Sequence, residues 1–175
     1  MEVIVLGGGC FWCIEAVFDG IAGVDRVESG YMGGHIKHPA YREVCTGRTG
    51  HAEVVQVFFD PAVVQLDVLL DVFFTAHDPT TLNRQGADAG TQYRSAIFYT
   101  EDDQLPVIKA AVARAAVEWE APVVTEVTPA SAFYLAEDYH QDYYALNGEA
   151  PYCKAVIAPK MKKVQARFSH VMRDR

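Results

Sequence analysis

Two cysteines three positions apart, Cys10 and Cys13, enclose Phe11 and Trp12 in the stretch GGGCFWC over residues 7–13. Thiols at this spacing can ligate a metal, pair as a redox couple, or act as a nucleophile with its helper. A zinc site would complete itself with His35-x2-His38. That set suits zinc poorly, because a zinc knuckle holds its cysteines on a tight turn among polar neighbours, whereas this pair brackets Phe-Trp at a helix start. The two histidines lie in a Gly- and Lys-containing loop that favours solvent. Buried free cysteine also behaves as a small hydrophobe, so Cys13 and Cys45 can be packing residues, and Phe11 and Trp12 ordinary core aromatics. Cys10 differs from the others. Three preceding glycines leave the first backbone N–H groups of a helix open, and those donors, with the positive end of the helix dipole, are expected to lower its pKa and make it a nucleophile. Cys13, one turn on, shares that face and is a candidate redox partner.

The elements that must hold these thiols follow from apolar spacing. Val3–Leu6 reads as a buried strand ending in glycines, and Phe11–Phe18 as an amphipathic helix closing near Gly20 and Gly23. Val24–Tyr31 is a second strand, YMGGHIKHPAY a loop, and AEVVQVFFD a third strand whose Glu53, Val55, Val57 and Phe59 share one face. Gln65–His77 is helical in period, and a long polar loop then leads into the strand YRSAIFYT. The order β-α-β-β-α-β predicts an α+β fold with the split arrangement of ferredoxin-like domains, two helices covering one face of an antiparallel sheet. Beyond it, Asp102–Glu120 is predicted helical with Pro106 in its first turn, Val123–Val127 a strand, and Leu135–Leu146 a helix. The tail from residue 147, with two prolines and poor period, is predicted to wrap the domain as coil before a last short helix.

Composition narrows the function classes. The chain has 175 residues, half of them hydrophobic, enough for one globular domain, 1–175, with a continuous core and no staples. Its formal net charge is −8 and its basic residues are scattered, so it lacks the electrostatic footprint of a nucleic-acid binder. The start MEVIVLGGG has no basic leader and no apolar run reaches membrane-spanning length, so a cytoplasmic location without membrane contact is expected, and a monomeric state with it. Four cysteines are few for a disulfide scaffold.

GGGCFW, SGYMGGHIKHPAYREVCTGRTGHAEVVQVFFDP, AHDPTT, GTQYRSAIFYT and AEDYHQDY occur in that order, and with them the chain resembles the peptide methionine sulfoxide reductase A family from residue 3 to about residue 160. The resemblance implies a two-layer α/β sandwich with a ferredoxin-like core and a long coiled C-terminal segment, about 148–175. It implies thioredoxin-dependent reduction of methionine S-sulfoxide, free or in polypeptides, with no metal, flavin or nucleotide cofactor. Carried onto this chain, it makes Cys10 the nucleophile and Glu53 of GHAE the proton donor, a role that requires burial to raise the carboxyl pKa. Tyr41 and Tyr93 match tyrosines that hydrogen-bond the sulfoxide oxygen, Asp88 matches a further polar site residue, and Phe11 and Trp12 match an apolar pocket for the S-methyl group. The implied cycle leaves a sulfenic acid on Cys10, which a second cysteine converts to a disulfide for thioredoxin to reduce. Many family members have Gly where this chain has Cys13, so two residues contend for the resolving role. Cys153, on a segment expected to be mobile coil, is favoured as first resolver over Cys13, which is locked into a helix, and Cys45 is read as a structural thiol. Two rivals stand beside this reading: a zinc-stabilised binding module on Cys10, Cys13, His35 and His38, and a thioredoxin-like oxidoreductase. The latter would need a parallel βαβ unit and a cis-proline strand, neither legible here.

Overall fold

The computed structural model describes residues 1–173. Along the chain the elements are β1 (Glu2–Gly7), α1 (Phe11–Asp19), β2 (Val24–Met32), α2 (Tyr41–Cys45), β3 (Ala52–Phe59), α3 (Leu66–Ala76), β4 (Arg84–Gln85), β5 (Asp88–Ala89), β6 (Ala96–Tyr99), α4 (Gln104–Glu118), β7 (Glu126–Pro129), β8 (Tyr134–Leu135), α5 (Tyr143–Asn147) and α6 (Ala158–Phe168). Six strands form one sheet in the order β7-β6-β1-β3-β2-β8, while β4 and β5 make a separate hairpin. Its four central strands pair antiparallel, with Leu6 between Val55 and Ile97, and only β7 joins parallel, on β6. The α+β class read from the sequence is therefore the observed one.

The two-residue period of the strands sorts their side chains between two faces. Ile4, Leu6, Val55, Val57 and Phe59 point into the main core, where Ile14, Val17 and Phe18 of α1, Leu69, Leu70 and Phe73 of α3, Ile108 and Ala111 of α4 and Val164 and Phe168 of α6 meet them. Val5, Met32, Ala52, Val54, Ala96 and Phe98 point the other way, into a smaller core covered by Ala130 and Phe133. Glu53 belongs by period to the helix-covered face, and the strand therefore delivers a carboxylate beneath α1. No helix among the described residues is long and apolar enough to cross a membrane.

Two expectations need correction. Leu135–Leu146 is not a helix. It runs as β8, a single turn of 3-10 helix at Asp138–His140, and α5, with Asp142 in the left-handed region at φ 53°. The Gln141 side chain explains the extended path: it accepts from Ser29 N–H at 2.9 Å and donates to Ser29 C=O at 2.8 Å, and so continues the ladder along β2. The C-terminal segment is not coil either. A π-helical turn at Cys153–Ile157 runs directly into α6, with Cys153, Ile157, Val164 and Phe168 buried at helical spacing. The wider turn accommodates Pro159, whose missing N–H and ring would disturb a regular α-helical register. Residues 174 and 175 of the expected tail lie outside the described residues.

His77 closes α3 against the glycine turn that precedes Cys10. Its Nδ1–H donates to Phe73 C=O at 2.6 Å, and Nε2 accepts from the Ser95 hydroxyl at 2.7 Å, which in turn meets Thr125 at 2.8 Å. The carbonyl can only accept, and that fixes the tautomer. Burial pushes its pKa down to about 4 from 6.5. A histidine depressed in this way contributes stability above the unfolded pKa and loses it as pH falls through 6.5 toward 4. The unfolding free energy of the natural protein, compared with His77→Gln, is expected to drop by about 2–3 kcal/mol between pH 7 and 4.5. Urea titrations at both pH values check it; a constant difference would mean that His77 titrates normally.

Candidate active site

The turn Gly7-Gly8-Gly9 brings the chain from β1 into α1 at very close range. Gly9 sits at φ 92°, and a Cβ there would lie 2.7 Å from Gln85 Cγ, so only glycine fits. Cys10 follows in extended geometry as the residue capping α1, and Cys13 N–H donates to Cys10 C=O at 3.1 Å. The next amide, Phe11 N–H, donates to Glu53 Oε1 at 3.2 Å. Glu53 is 1 % exposed and its Oε2 has no hydrogen-bond partner among the described residues. Burial raises its carboxyl to about pH 8, partly offset by the Phe11 amide and reinforced by the negative charge of Asp88.

Cys10 departs from the expectation of a thiol lowered by the helix start. Burial pushes it well above its ordinary value, and the charges of Glu53 and Cys13 push it further; the Trp12 amide and the Tyr152 hydroxyl pull it back only in part. The physical reason is burial first, and second that Glu53 has taken the Phe11 amide and set a carboxylate beside the sulfur, leaving the Trp12 amide to favour the thiolate. Cys10 and Glu53 are thus both raised chiefly by burial, and the charge of Glu53 raises Cys10 further, so their titrations are linked. When the pair holds one proton, one arrangement is thiolate beside neutral acid. That arrangement supplies a nucleophile and a proton donor together.

The other expected residues gather around this pair. Tyr41, which opens α2, and Tyr93, in a 3-10 turn before β6, are both raised by burial and then by the charge of Glu53, so their hydroxyls stay protonated donors. Phe11 is buried among rings, 5.7 Å from Tyr31, 6.5 Å from Tyr41 and 5.1 Å from His140. The Trp12 indole lies flat on Tyr143, at 3.8 Å and 8°, and its N–H donates to His140 Nδ1 at 3.0 Å. Asp88 lines a cleft of about 270 Å³ together with Cys10, Cys13, Tyr152 and Lys160. A larger cleft of about 490 Å³ behind α1, lined by Glu15, Asp142 and Lys162, contains no thiol.

All four cysteines are free, and three of them meet. Cys13 and Cys153 are buried together with Ile157, and Cys10 packs against that cluster. The Tyr152 hydroxyl reaches Cys13 Sγ at 3.7 Å. Cys153 is consequently helical and fully buried rather than carried on loose coil. Cys45, read as structural, is exposed at the end of α2. The zinc quartet is not assembled: His38 packs on Tyr134 at 5.2 Å, His35 borders Gly50, and no group of three or more His, Cys, Asp or Glu among the described residues is placed to hold a metal.

Sequence reasoning missed four residues. His140 fixes Trp12, Tyr143 stacks on it, and Tyr152 stands between the sulfurs. Glu137 accepts from the Tyr31 hydroxyl at 2.9 Å and from Tyr41 N–H at 3.0 Å, and so holds the start of α2. Their only signal was the cluster of Tyr, His and acidic residues in AEDYHQDY and PYC, to which no role had been attached.

Comparison with known proteins supplies independent information. The family model described as peptide methionine sulfoxide reductase matches residues 2–172. Peptide methionine sulfoxide reductase MsrA of Chromobacterium violaceum is 53% identical over 99% of this chain and 100% of that relative. Among solved structures, Mxr1 from Saccharomyces cerevisiae in reduced form superposes with a TM-score of 0.80 at 37% identity, covering 87% of this chain and 88% of that one. Mxr1 in complex with Trx2 gives a TM-score of 0.56 at 27% identity, covering 81% and 84%.

Proposed function

The chain belongs to the peptide methionine sulfoxide reductase family, an oxidoreductase that returns methionine S-sulfoxide to methionine and so repairs oxidised proteins, and from that membership we propose that Cys10 and Glu53 carry out the reduction. The observation that carries this reading is the buried Glu53 carboxyl, raised toward neutrality, tied by one oxygen to the helix start beside Cys10 and with its other oxygen unpartnered.

In the proposed first step, Cys10 sulfur attacks the sulfoxide sulfur while Glu53 gives its proton to the sulfoxide oxygen, which becomes a leaving hydroxyl rather than an oxide. Tyr41 and Tyr93 hydrogen-bond the same oxygen, and Asp88, by its charge, helps to keep the Glu53 proton in place. That attack joins the two sulfurs; the substrate S–O bond then breaks, the hydroxide bonds Cys10 sulfur, and the sulfur–sulfur bond breaks with its electron pair staying on methionine, which departs reduced by two electrons and leaves Cys10 as sulfenic acid. Phe11 and Trp12 receive the methyl group. With oxygen and methyl both fixed, and attack coming from Cys10, the rest of the substrate has one way out, and only one epimer presents it correctly.

In the second step a cysteine thiolate displaces hydroxide from the Cys10 sulfenic acid, forming a disulfide and water. Cys153 was favoured for its mobility, but a buried helix deprives it of that advantage. Cys13 lies in α1 three residues after Cys10, lines the same cleft and is buried with Cys153, so we assign it the first attack, with Cys153 receiving the disulfide from it. Peptide mapping after one equivalent of substrate, without reductant, is expected to find Cys10–Cys13 accumulating in Cys153→Ser and Cys13–Cys153 in the natural protein. A Cys10–Cys153 link formed at full rate in Cys13→Ser would return the first attack to Cys153.

Thioredoxin is the proposed reductant, supported by the Mxr1–Trx2 complex in the same family. A cycle of this kind belongs in the reducing cytoplasm, and one copy of the chain holds every group it uses, so it is proposed to work as a monomer. The test is thioredoxin-dependent turnover of resolved epimers. Turnover of the S form with none of the R form is expected; equal rates would remove the two-point fixation described above.

A further inference from the structure

The cleft that opens on Cys10 and Cys13 contains one cation. Lys160, in the first turn of α6, lines it half-buried and takes part in none of the ion pairs among the described residues. Holding an ammonium partly out of water with no carboxylate partner is unfavourable, and a lysine stem is long enough to carry its charge into solvent instead. What shares the cleft with it is a pair of thiols and one carboxylate, Asp88, which forms no ion pair with it among the described residues. We propose that Lys160 is a positioning residue for the second step, its ammonium stabilising the Cys13 thiolate that attacks the Cys10 sulfenic acid. This rests on Cys13 as first resolver.

The groups facing Cys13 from every side define the balance. Lys160 approaches from α6, Asp88 from β5, Tyr152 and Cys153 from the turn before α6, and Cys10 from the start of α1. Burial raises the Cys13 thiol most, Lys160 is the largest opposing influence, the Tyr152 hydroxyl also lowers it, and Asp88 and Cys153 raise it. In the step itself the Cys13 proton leaves first, Cys13 sulfur bonds to Cys10 sulfur, the Cys10 S–O bond breaks, and the departing hydroxide takes a proton to become water. Lys160 stays charged throughout.

The measurement is the rate of Cys10–Cys13 disulfide formation from pH 6 to 9 by rapid quench and peptide mapping. It is made in a Cys45→Ser, Cys153→Ser background, with Lys160 present or replaced. A rise of about one unit in the Cys13 pKa removes roughly ten-fold of thiolate, but the more basic sulfur is about threefold more nucleophilic. Lys160→Met is therefore expected to slow the disulfide step about threefold at pH 7, to move its midpoint up by about one unit, and to equal or overtake the lysine protein at high pH. Methionine release, which precedes this step, keeps its rate, and Lys160→Arg restores the profile. An unmoved midpoint, or slowing by the same factor at every pH with methionine release slowed equally, would overturn the role of Lys160 alone. Absence of any Cys10–Cys13 disulfide with Lys160 in place would overturn the Cys13 assignment and this inference together.

Discussion

Cys10→Ser is expected to form no methionine from methionine sulfoxide, at any pH or thioredoxin concentration. Serine retains the shape of the helix start, with the extended cap and the glycine turn before it. It cannot retain the chemistry. An alkoxide is inaccessible near neutrality, and oxygen cannot be oxidised to the counterpart of a sulfenic acid, so both the attack and the electron transfer are lost. The other three cysteines do not substitute, because none of them caps the helix start beside Glu53: Cys13 and Cys153 are buried with Ile157, and Cys45 is exposed at the end of α2. Quantifying methionine by mass against a protein-free control checks this. Release above that background would show that another sulfur performs the reduction.

Glu53→Gln is expected to have opposite effects on rate and stability. Gln can still donate a hydrogen bond to the sulfoxide oxygen but has no proton to give, so the first step should slow by roughly two to four decades. The folded state, however, holds Glu53 at about pH 8 by burial. A carboxyl raised above its unfolded value of 4.5 favours folding fully below that pH, and its contribution is lost as pH rises toward 8. Gln does not titrate, so the variant should gain on the natural protein by about 4 kcal/mol in unfolding free energy between pH 4.5 and 8. A pre-steady-state assay and urea titrations at the two pH values test the pair of effects. A variant that loses rate without gaining relative stability at pH 8 would mean that Glu53 is ionised in the resting protein, and an unchanged rate would reduce it to a strand residue.

The sequence was most informative where local period carries the answer. Val55, Val57 and Phe59 alternate strictly, and that alternation alone put Glu53 on the helix-covered face; Ile14, Val17 and Phe18 likewise seated α1. It was least informative where distant groups decide. Phe11 N–H and Glu53 are 42 positions apart, and the burial of Cys10, with Glu53 held beside it by that hydrogen bond, outweighs the helix start expected to acidify it. Trp12 and His140 are 128 positions apart, so nothing near either residue signals that one fixes the other. The C-terminal helix was hidden for a local reason. Cys153, Ile157, Val164 and Phe168 have helical spacing, but Pro151 and Pro159 read as breakers, and only a π turn reconciles them. Leu135–Leu146 failed the other way: its residues favour helix, yet Gln141 ties the backbone to β2 and Asp142 turns left-handed into α5.

The central claim is that Cys10 sulfur takes the oxygen from the substrate. A single-turnover reaction with methionine S-sulfoxide, in protein carrying Cys13→Ser and Cys153→Ser and with no thioredoxin, isolates that event. One equivalent of methionine should appear, and a sulfenic-acid trap should label Cys10 and no other residue in the same proportion. Methionine formed with Cys10 unlabelled and still a free thiol would contradict the account.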